Sequence, residues 1–167
     1  MYDRNTTAFF GMIAKSEGTY GLGDDGYNVL VGSTPKMPLL FHSYADHPRV
    51  RITARRDDPR TPQNEEIIST AAGRYQILAR YFDVYRERMR LRDFGPASQD
   101  AIAARMIREC HATDDVMAGR VAEAVAKCSS RWASLPGAGY GQHENRIAQC
   151  EKWFVECGGV LEEDEQV

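Results

Sequence analysis

The chain has 167 residues, enough for one domain with a sizeable core and too few for two full ones. Hydrophobic residues make up 43% and charged residues 27%, the balance of an ordinary soluble globular protein, which argues against a membrane-embedded or disordered chain. The formal charge of −3 is uneven: the last twelve residues hold five acids and no Lys or Arg, leaving a body with 21 basic against 19 acidic residues. A body so close to neutral lacks the concentrated basic face of a nucleic-acid binder.

Residues 1–7 begin with charges, and Lys15 and Glu17 interrupt the short apolar stretch that follows, so neither a signal peptide nor a membrane anchor is expected. Over 7–17, Ala8, Phe9, Met12 and Ile13 recur at helical spacing, with Asn5, Thr6 or Thr7 as N-cap and Gly18 as the stop. From 18 to 64 Gly, Asp and Pro become frequent. Residues 27–31 and 38–41 are short β-like runs, which predicts a small irregular β region (about 19–64) of two or three strands, with 57–64 a loop. Helix resumes after Gly73, where Ile77, Leu78, Tyr81, Phe82 and Tyr85 form a stripe. Phe94-Gly95-Pro96 ends it, and Ser98 is expected to cap the next helix. A further helix is predicted over about 114–128, and a last one over about 143–157, ended by Gly158-Gly159; 134–142 is too rich in Gly and Pro for regular helix. The acidic tail (about 158–167) reads as a solvated, frayed terminus. The prediction is one α+β domain over 1–167, mainly α-helical, with a small β subdomain after the first helix and a ligand groove between the two parts. Cys110, Cys128, Cys150 and Cys157 form no Cys-x-x-Cys pair and no zinc spacing; they read as reduced thiols packed as small hydrophobes, although the even count leaves a Cys110–Cys128 bridge open.

Two segments stand out chemically. Ser16-Glu17-Gly18-Thr19 places a carboxyl where the first helix ends. Gly73-Arg74-Tyr75-Gln76 reads as a turn feeding a helix whose first turn projects Tyr and Gln donors. Protonating a glycosidic oxygen needs a carboxyl that stays protonated near neutral pH, and helix C-terminal carbonyls with apolar burial push in that direction. The bland alternative for Glu17 is a solvated acid in a last helical turn. A two-carboxylate glycosidase needs a partner for it, and Asp24, Asp25, Asp46, Asp57 and Asp58 lie in the irregular region, none in a context that singles it out. A one-carboxylate route is also open, in which the sugar's own C6 hydroxyl attacks and a 1,6-anhydro product forms. The three glycines around Tyr140 in 135–142 suit a flap over an extended polymer, or a plain surface loop. Tyr44, Asp46 and His47 read as turn or groove-lining residues rather than a metal site, and Trp132 as core beside the flap.

Taken together, Ser16-Glu17-Gly18-Thr19, 27–32, 44–48, 72–76, Asp93-Phe94, Ser98-Gln99-Asp100-Ala101 and Trp-Ala-Ser-Leu-Pro-Gly-Ala-Gly-Tyr-Gly-Gln at 132–142 resemble the phage lambda-type endolysins, in order along nearly the whole chain. The resemblance implies a lysozyme-like fold and lytic transglycosylase activity on the β-1,4 bond between N-acetylmuramic acid and N-acetylglucosamine of peptidoglycan. It implies Glu17 as the catalytic acid, without metal or cofactor, and two lips, around 55–61 and 136–142, over a sugar groove. The first lip differs here from the family in charge and length. With this reading, Ser16, Tyr44, His47, Arg74, Tyr75, Gln76, Trp132, Gly139, Tyr140 and Gln142 are the candidate glycan-binding residues. The expected partner is a peptidoglycan strand, not nucleic acid or membrane. A monomer is expected, made in the host cytoplasm and reaching the wall through a holin-type membrane lesion. A hydrolytic lysozyme and a non-catalytic peptidoglycan-binding protein are the rival readings.

Overall fold

The computed structural model describes residues 1–55, 66–138 and 145–162. The chain forms two compact units: Met1–Ser16 with Ala104–Val167, and Glu17–Ala103.

In the first unit, helix α1 (Arg4–Ser16) is capped by Asp3, whose Oδ1 accepts the Thr6 N–H at 2.9 Å. The expected caps at 5–7 therefore lie inside the helix, because an Asp one residue before the first helical position is at least as good an acceptor for the third N–H. Every residue from Ala8 to Ala14 is buried, so α1 is an interior helix and not the one-sided amphipath that the apolar spacing suggested. It packs against helices spanning Thr113–Ala118 (α4) and Ile147–Glu156 (α6), and a helix over Val121–Cys128 (α5) packs against both of those.

The single helix expected over 114–128 is two. Gly119 ends α4 in the left-handed region at φ 84°, and a Cβ there would stand 2.1 Å from the Val160 carbonyl oxygen. Only glycine lets the chain turn there while residue 160 passes so close. The same contact corrects the expected tail. Asn5 donates to the carbonyls of Met117 (2.9 Å) and Val160 (3.1 Å) and accepts the Val160 N–H (2.9 Å), while Arg120 binds Glu162 at 2.9 Å. Residues 158–162 are docked, not frayed. The acids at 163–165 lie outside the described residues.

Asp115 joins this unit's charges: it is 3.0 Å from Arg120 and 2.5 Å from Lys127, and the Lys127 and Arg120 bonds hold its carboxyl below the usual range. A depressed folded-state pKa gives stability that is present above the unfolded value of about 3.9 and is lost as pH falls through the folded value. Asp115→Asn is therefore expected to lower stability at pH 7 by about 1 kcal/mol, given how exposed the two cations are, and to flatten the decline between about pH 4 and pH 2. Thermal melts of both proteins from pH 7 to pH 2 check this; parallel curves would rule it out. The four cysteines are free thiols, and burial pushes Cys150 up to about 11 and Cys128 higher, so both pack as protonated apolar groups.

In the second unit, β1 (Ile52–Arg55) and β2 (Glu66–Ser69) pair antiparallel, Ile52 opposite Ser69 and Arg55 opposite Glu66. The runs at 27–31 and 38–41 do pair, through a Val29–Leu40 bridge with the Leu30 N–H on the Leu39 carbonyl at 2.8 Å, but they are too short and bent to be regular strands. Helix α2 (Ala79–Met89) begins after Leu78, so 73–76 is a turn ahead of it and not its first turn. Helix α3 (Pro96–Glu109), which belongs to this unit as far as Ala103 and to the first unit from Ala104, starts with Pro at its first position, where no N–H is needed. Ser98 does not cap it; its hydroxyl donates to Asp93 (2.8 Å), which also accepts the Gly95 N–H (2.9 Å). Phe82 and Phe94 meet edge to face at 5.0 Å in a core that includes Tyr75, Ile77, Val29 and Ile102. Burying each large side chain is worth about 1.5–3 kcal/mol. Among the described residues no helix is long and apolar enough to cross a membrane.

Candidate active site

A shallow, open recess lies within the second unit, lined by Glu17, Gly18, Thr19, Val29, Leu30, Gly32, Ser33 and Gln76. Among the described residues Glu17 is the lone acid of this lining. The walls are three chain segments, 17–19, 29–33 and Gln76, and each is tied to one turn at 72–77. Ala72 and Ile77 close that turn by exchanging both backbone hydrogen bonds, at 3.1 and 2.9 Å. Gly73 donates to the Val29 carbonyl (2.8 Å) and Ala71 accepts the Val31 N–H (3.0 Å), which fixes the second wall. The buried Thr19 hydroxyl donates to the Arg74 carbonyl at 2.6 Å and fixes the first. Gln76 sits in the left-handed region at φ 47°, its side-chain amide donating to the Gly73 carbonyl at 3.0 Å. A non-glycine residue in that region stores about 1–3 kcal/mol, and here the strain falls on a lining residue.

The turn in turn hangs on α3. The fully buried Gln99 accepts the Arg74 N–H (2.9 Å) and donates to the carbonyls of Tyr27 (2.9 Å) and Phe94 (2.8 Å). Gly73 is a required glycine: at φ 78°, a Cβ would stand 2.1 Å from Gln99 Oε1. Arg74 is almost wholly buried, 2.5 Å from Asp25 Oδ2, with its guanidinium 5.1 Å from the Tyr27 ring centroid and 5.4 Å from that of Tyr20. It braces the 18–28 loop against the turn. Tyr75, 1% exposed, donates to Asp100 at 2.6 Å, so it is a supporting residue of the core and not a donor projecting from a helix.

The other candidates are placed as follows. His47 is core: its ring is tilted against that of Phe94 with centroids 4.6 Å apart, its Nδ1 accepts the Arg49 N–H (3.0 Å), and its Nε2 therefore carries the proton that goes to the Ile77 carbonyl (2.9 Å). Burial first of all lowers its pKa and keeps it neutral, and with both ring nitrogens engaged it does not line a groove. Tyr44 is half-buried and donates to Asp24 at 2.7 Å; burial and that carboxylate raise its pKa. Ser16 and Trp132 belong to the first unit. Ser16 donates to Ser134 Oγ (2.8 Å) and accepts from Asn145 (3.0 Å), and Trp132 is 3% exposed. Gly139, Tyr140 and Gln142, in the second half of the expected flap, lie outside the described residues, as do Asp57 and Asp58. Among the described residues no cluster of three metal-ligating side chains occurs. Gln99, Asp100, Thr19 and Asp25 were not singled out individually from the sequence. Their signal was present in Gln99-Asp100, adjacent polar residues in the first turns of a helix whose other inward positions are apolar.

A profile of the Endolysin family matches residues 7–161. The chain belongs to that family. Two endolysins align over almost their whole length: that of Escherichia phage lambda at 42% identity, covering 93% of this chain and 92% of the relative, and that of Escherichia phage P2 at 40%, covering 94% of each. Among solved structures, phage lambda lysozyme in complex with a chitohexasaccharide superposes with a TM-score of 0.84 at 40% identity, over 96% of this chain and 98% of the other. A second lambda lysozyme structure gives 0.79 at 39% identity with the same coverage. This endolysin-family chain therefore has the lysozyme-like α+β fold, with six helices and one two-stranded sheet among the described residues.

Proposed function

We propose that the protein is a peptidoglycan-cleaving endolysin that works as a lytic transglycosylase, with Glu17 its one catalytic carboxyl. The observation that carries the proposal is the composition of the recess: among the described residues, Glu17 is the one acid and the seven others that line it bear no charge. In its acid form Glu17 protonates the bridging oxygen as the bond from C1 of the muramyl sugar breaks, releasing the glucosamine end as an alcohol. The resulting carboxylate then takes the proton of the muramyl C6 hydroxyl while O6 bonds to C1. The 1,6-anhydro ring closes, Glu17 is protonated again, and no water is consumed.

Among the described residues, the state of the other candidate acids supports this route over hydrolysis. A hydrolase needs a second carboxylate about 5–9.5 Å away and free to act. Asp24 binds the Tyr44 hydroxyl, Asp25 binds Arg74, and Asp46 binds Arg49 and Arg86 as well as the His47 N–H. Asp46→Asn is expected to retain at least a third of wild-type clearing of cell walls; a collapse would point to a two-carboxylate scheme. Mass spectrometry of fragments from purified peptidoglycan decides the reaction type. Muramyl ends lighter by one water than hydrolytic ends are expected, and reducing muramic ends alone would overturn the proposal. The family likeness and the lysozyme bound to a chitohexasaccharide support an extended N-acetyl-sugar polymer as substrate. With that reading the enzyme acts as a monomer on the wall after the membrane has been permeabilised.

A further inference from the structure

Residues that flank two of the three recess walls in the chain meet at one oxygen atom outside the recess lining. Asp100 Oδ1, on α3, accepts the hydroxyls of both Tyr27 (2.8 Å) and Tyr75 (2.6 Å), whose rings stand edge to face with centroids 6.4 Å apart. Tyr75 is the neighbour of the lining residue Gln76, and Tyr27 lies two residues before the lining residue Val29. Asp100 itself is not part of the lining. We propose that Asp100 is a positioning residue for cleavage: by holding Tyr27 and Tyr75 on one oxygen it sets the spacing of the 17–19, 29–33 and Gln76 walls, and so the place of the bond to be cut relative to Glu17. The proposal rests on the reading of Glu17 as the acid.

The transmission runs through bonds already described. The backbone of residue 74 is held by Gln99 from one side and holds Thr19 on the other, so a shift at Tyr75 moves Thr19 and Gln76 together. Tyr27 is held at its hydroxyl by Asp100 and at its carbonyl by Gln99, two consecutive residues of one helix. Both phenols are kept as donors, since burial and the Asp100 carboxylate push Tyr27 up to about 12 and Tyr75 well above its ordinary value. Bonds from a neutral hydroxyl to a carboxylate are roughly twice as strong as neutral pairs and are directional. Stability alone does not call for them, because a polar cluster of this kind replaced by well-packed apolar groups of similar volume is often no less stable. Direction is what apolar packing would not supply, and an error of about 1 Å at a reacting centre costs about a hundredfold in rate.

The test uses the full chain on soluble, uncross-linked glycan strands, with kcat, KM and melting temperature measured separately. Asp100→Ala is expected to lower kcat at least tenfold with KM changed less than threefold. Asp100→Asn keeps a carbonyl oxygen for the two hydroxyls and is expected to recover kcat to within threefold of wild type. The double variant Tyr27→Phe/Tyr75→Phe keeps both rings and is expected to reproduce the Asp100→Ala loss, and it decides the matter if Asp100→Ala does not fold. Wild-type kcat in the double variant, or a loss that Asp100→Asn does not recover, overturns the proposal. Glu17→Gln run alongside separates the two ideas. If it still cleaves, the assignment of the acid fails, whereas an inactive Glu17→Gln beside a fully active double variant removes the positioning role alone.

Discussion

Glu17→Gln is expected to reduce peptidoglycan cleavage by at least a thousandfold while leaving the melting temperature within about 2 °C of wild type. The amide is nearly isosteric with the acid but has no proton to give to a leaving oxygen, and a positioned general acid contributes about 10²–10⁴-fold on its own. The loss should reach the upper part of that range, because in the proposed scheme the same group also receives the C6 hydroxyl proton, and among the described residues no second carboxyl lines the recess to take over either step. Stability should be preserved because Glu17 lies at an open recess, in a loop after the last helical residue of α1. Binding of an N-acetylglucosamine hexamer should survive, which separates loss of chemistry from loss of the site. Clearing of cell walls at one tenth of the normal rate or better by the Gln variant would move the acid to another residue.

Gly73→Ala is expected to be the most damaging one-methyl change in the second unit. Its backbone is in the left-handed region at φ 78°, which costs an alanine about 1–2 kcal/mol. The added Cβ would also stand 2.1 Å from Gln99 Oε1 and 2.7 Å from its Cδ, so Gln99 must leave a place where it makes three hydrogen bonds, two of them buried. Each buried group left unpaired costs about 1–3 kcal/mol. A net loss of about 3–5 kcal/mol follows, or roughly 10 °C in melting temperature for a chain of this size. A thermal melt reads it directly. The mechanism is checked by a double-mutant cycle. If the clash is the cause, Gly73→Ala combined with Gln99→Ala should be less destabilising than the sum of the two single changes, by 1 kcal/mol or more. Additive effects would leave the left-handed backbone as the whole explanation. Activity should fall as well, because the same turn carries all three recess walls.

Much of this arrangement was legible before any coordinates. The end of α1 and the stop at Gly18 follow from helical spacing and a glycine, and they put Glu17 at a chain reversal. The break at Phe94-Gly95-Pro96 and the start of α3 follow from the backbone limits of proline. Other features were misread for identifiable reasons. The left-handed turn at Gly119 was absorbed into one long helix because nothing local shows that residue 160 must pass beside it. Strand β2 was overlooked because its four residues adjoin a charged run and show no clean alternation. His47 and Tyr75 looked like ligand donors because they are polar and neighbour the motifs, yet both spend their hydrogen bonds inside the core.

What the sequence determined by itself was local and chemical: which segments are helical, where the chain reverses, and that one carboxyl stands at such a reversal. It also determined membership of the endolysins, through motifs strung in order along the chain. Which polar side chains line the recess and which hold the framework was decided only by the tertiary structure. The physical reason is that a polar group taken out of water must find partners, and for Asp100, Arg74, Thr19 and two of the three Gln99 bonds the partners lie between 25 and 73 residues away in the chain.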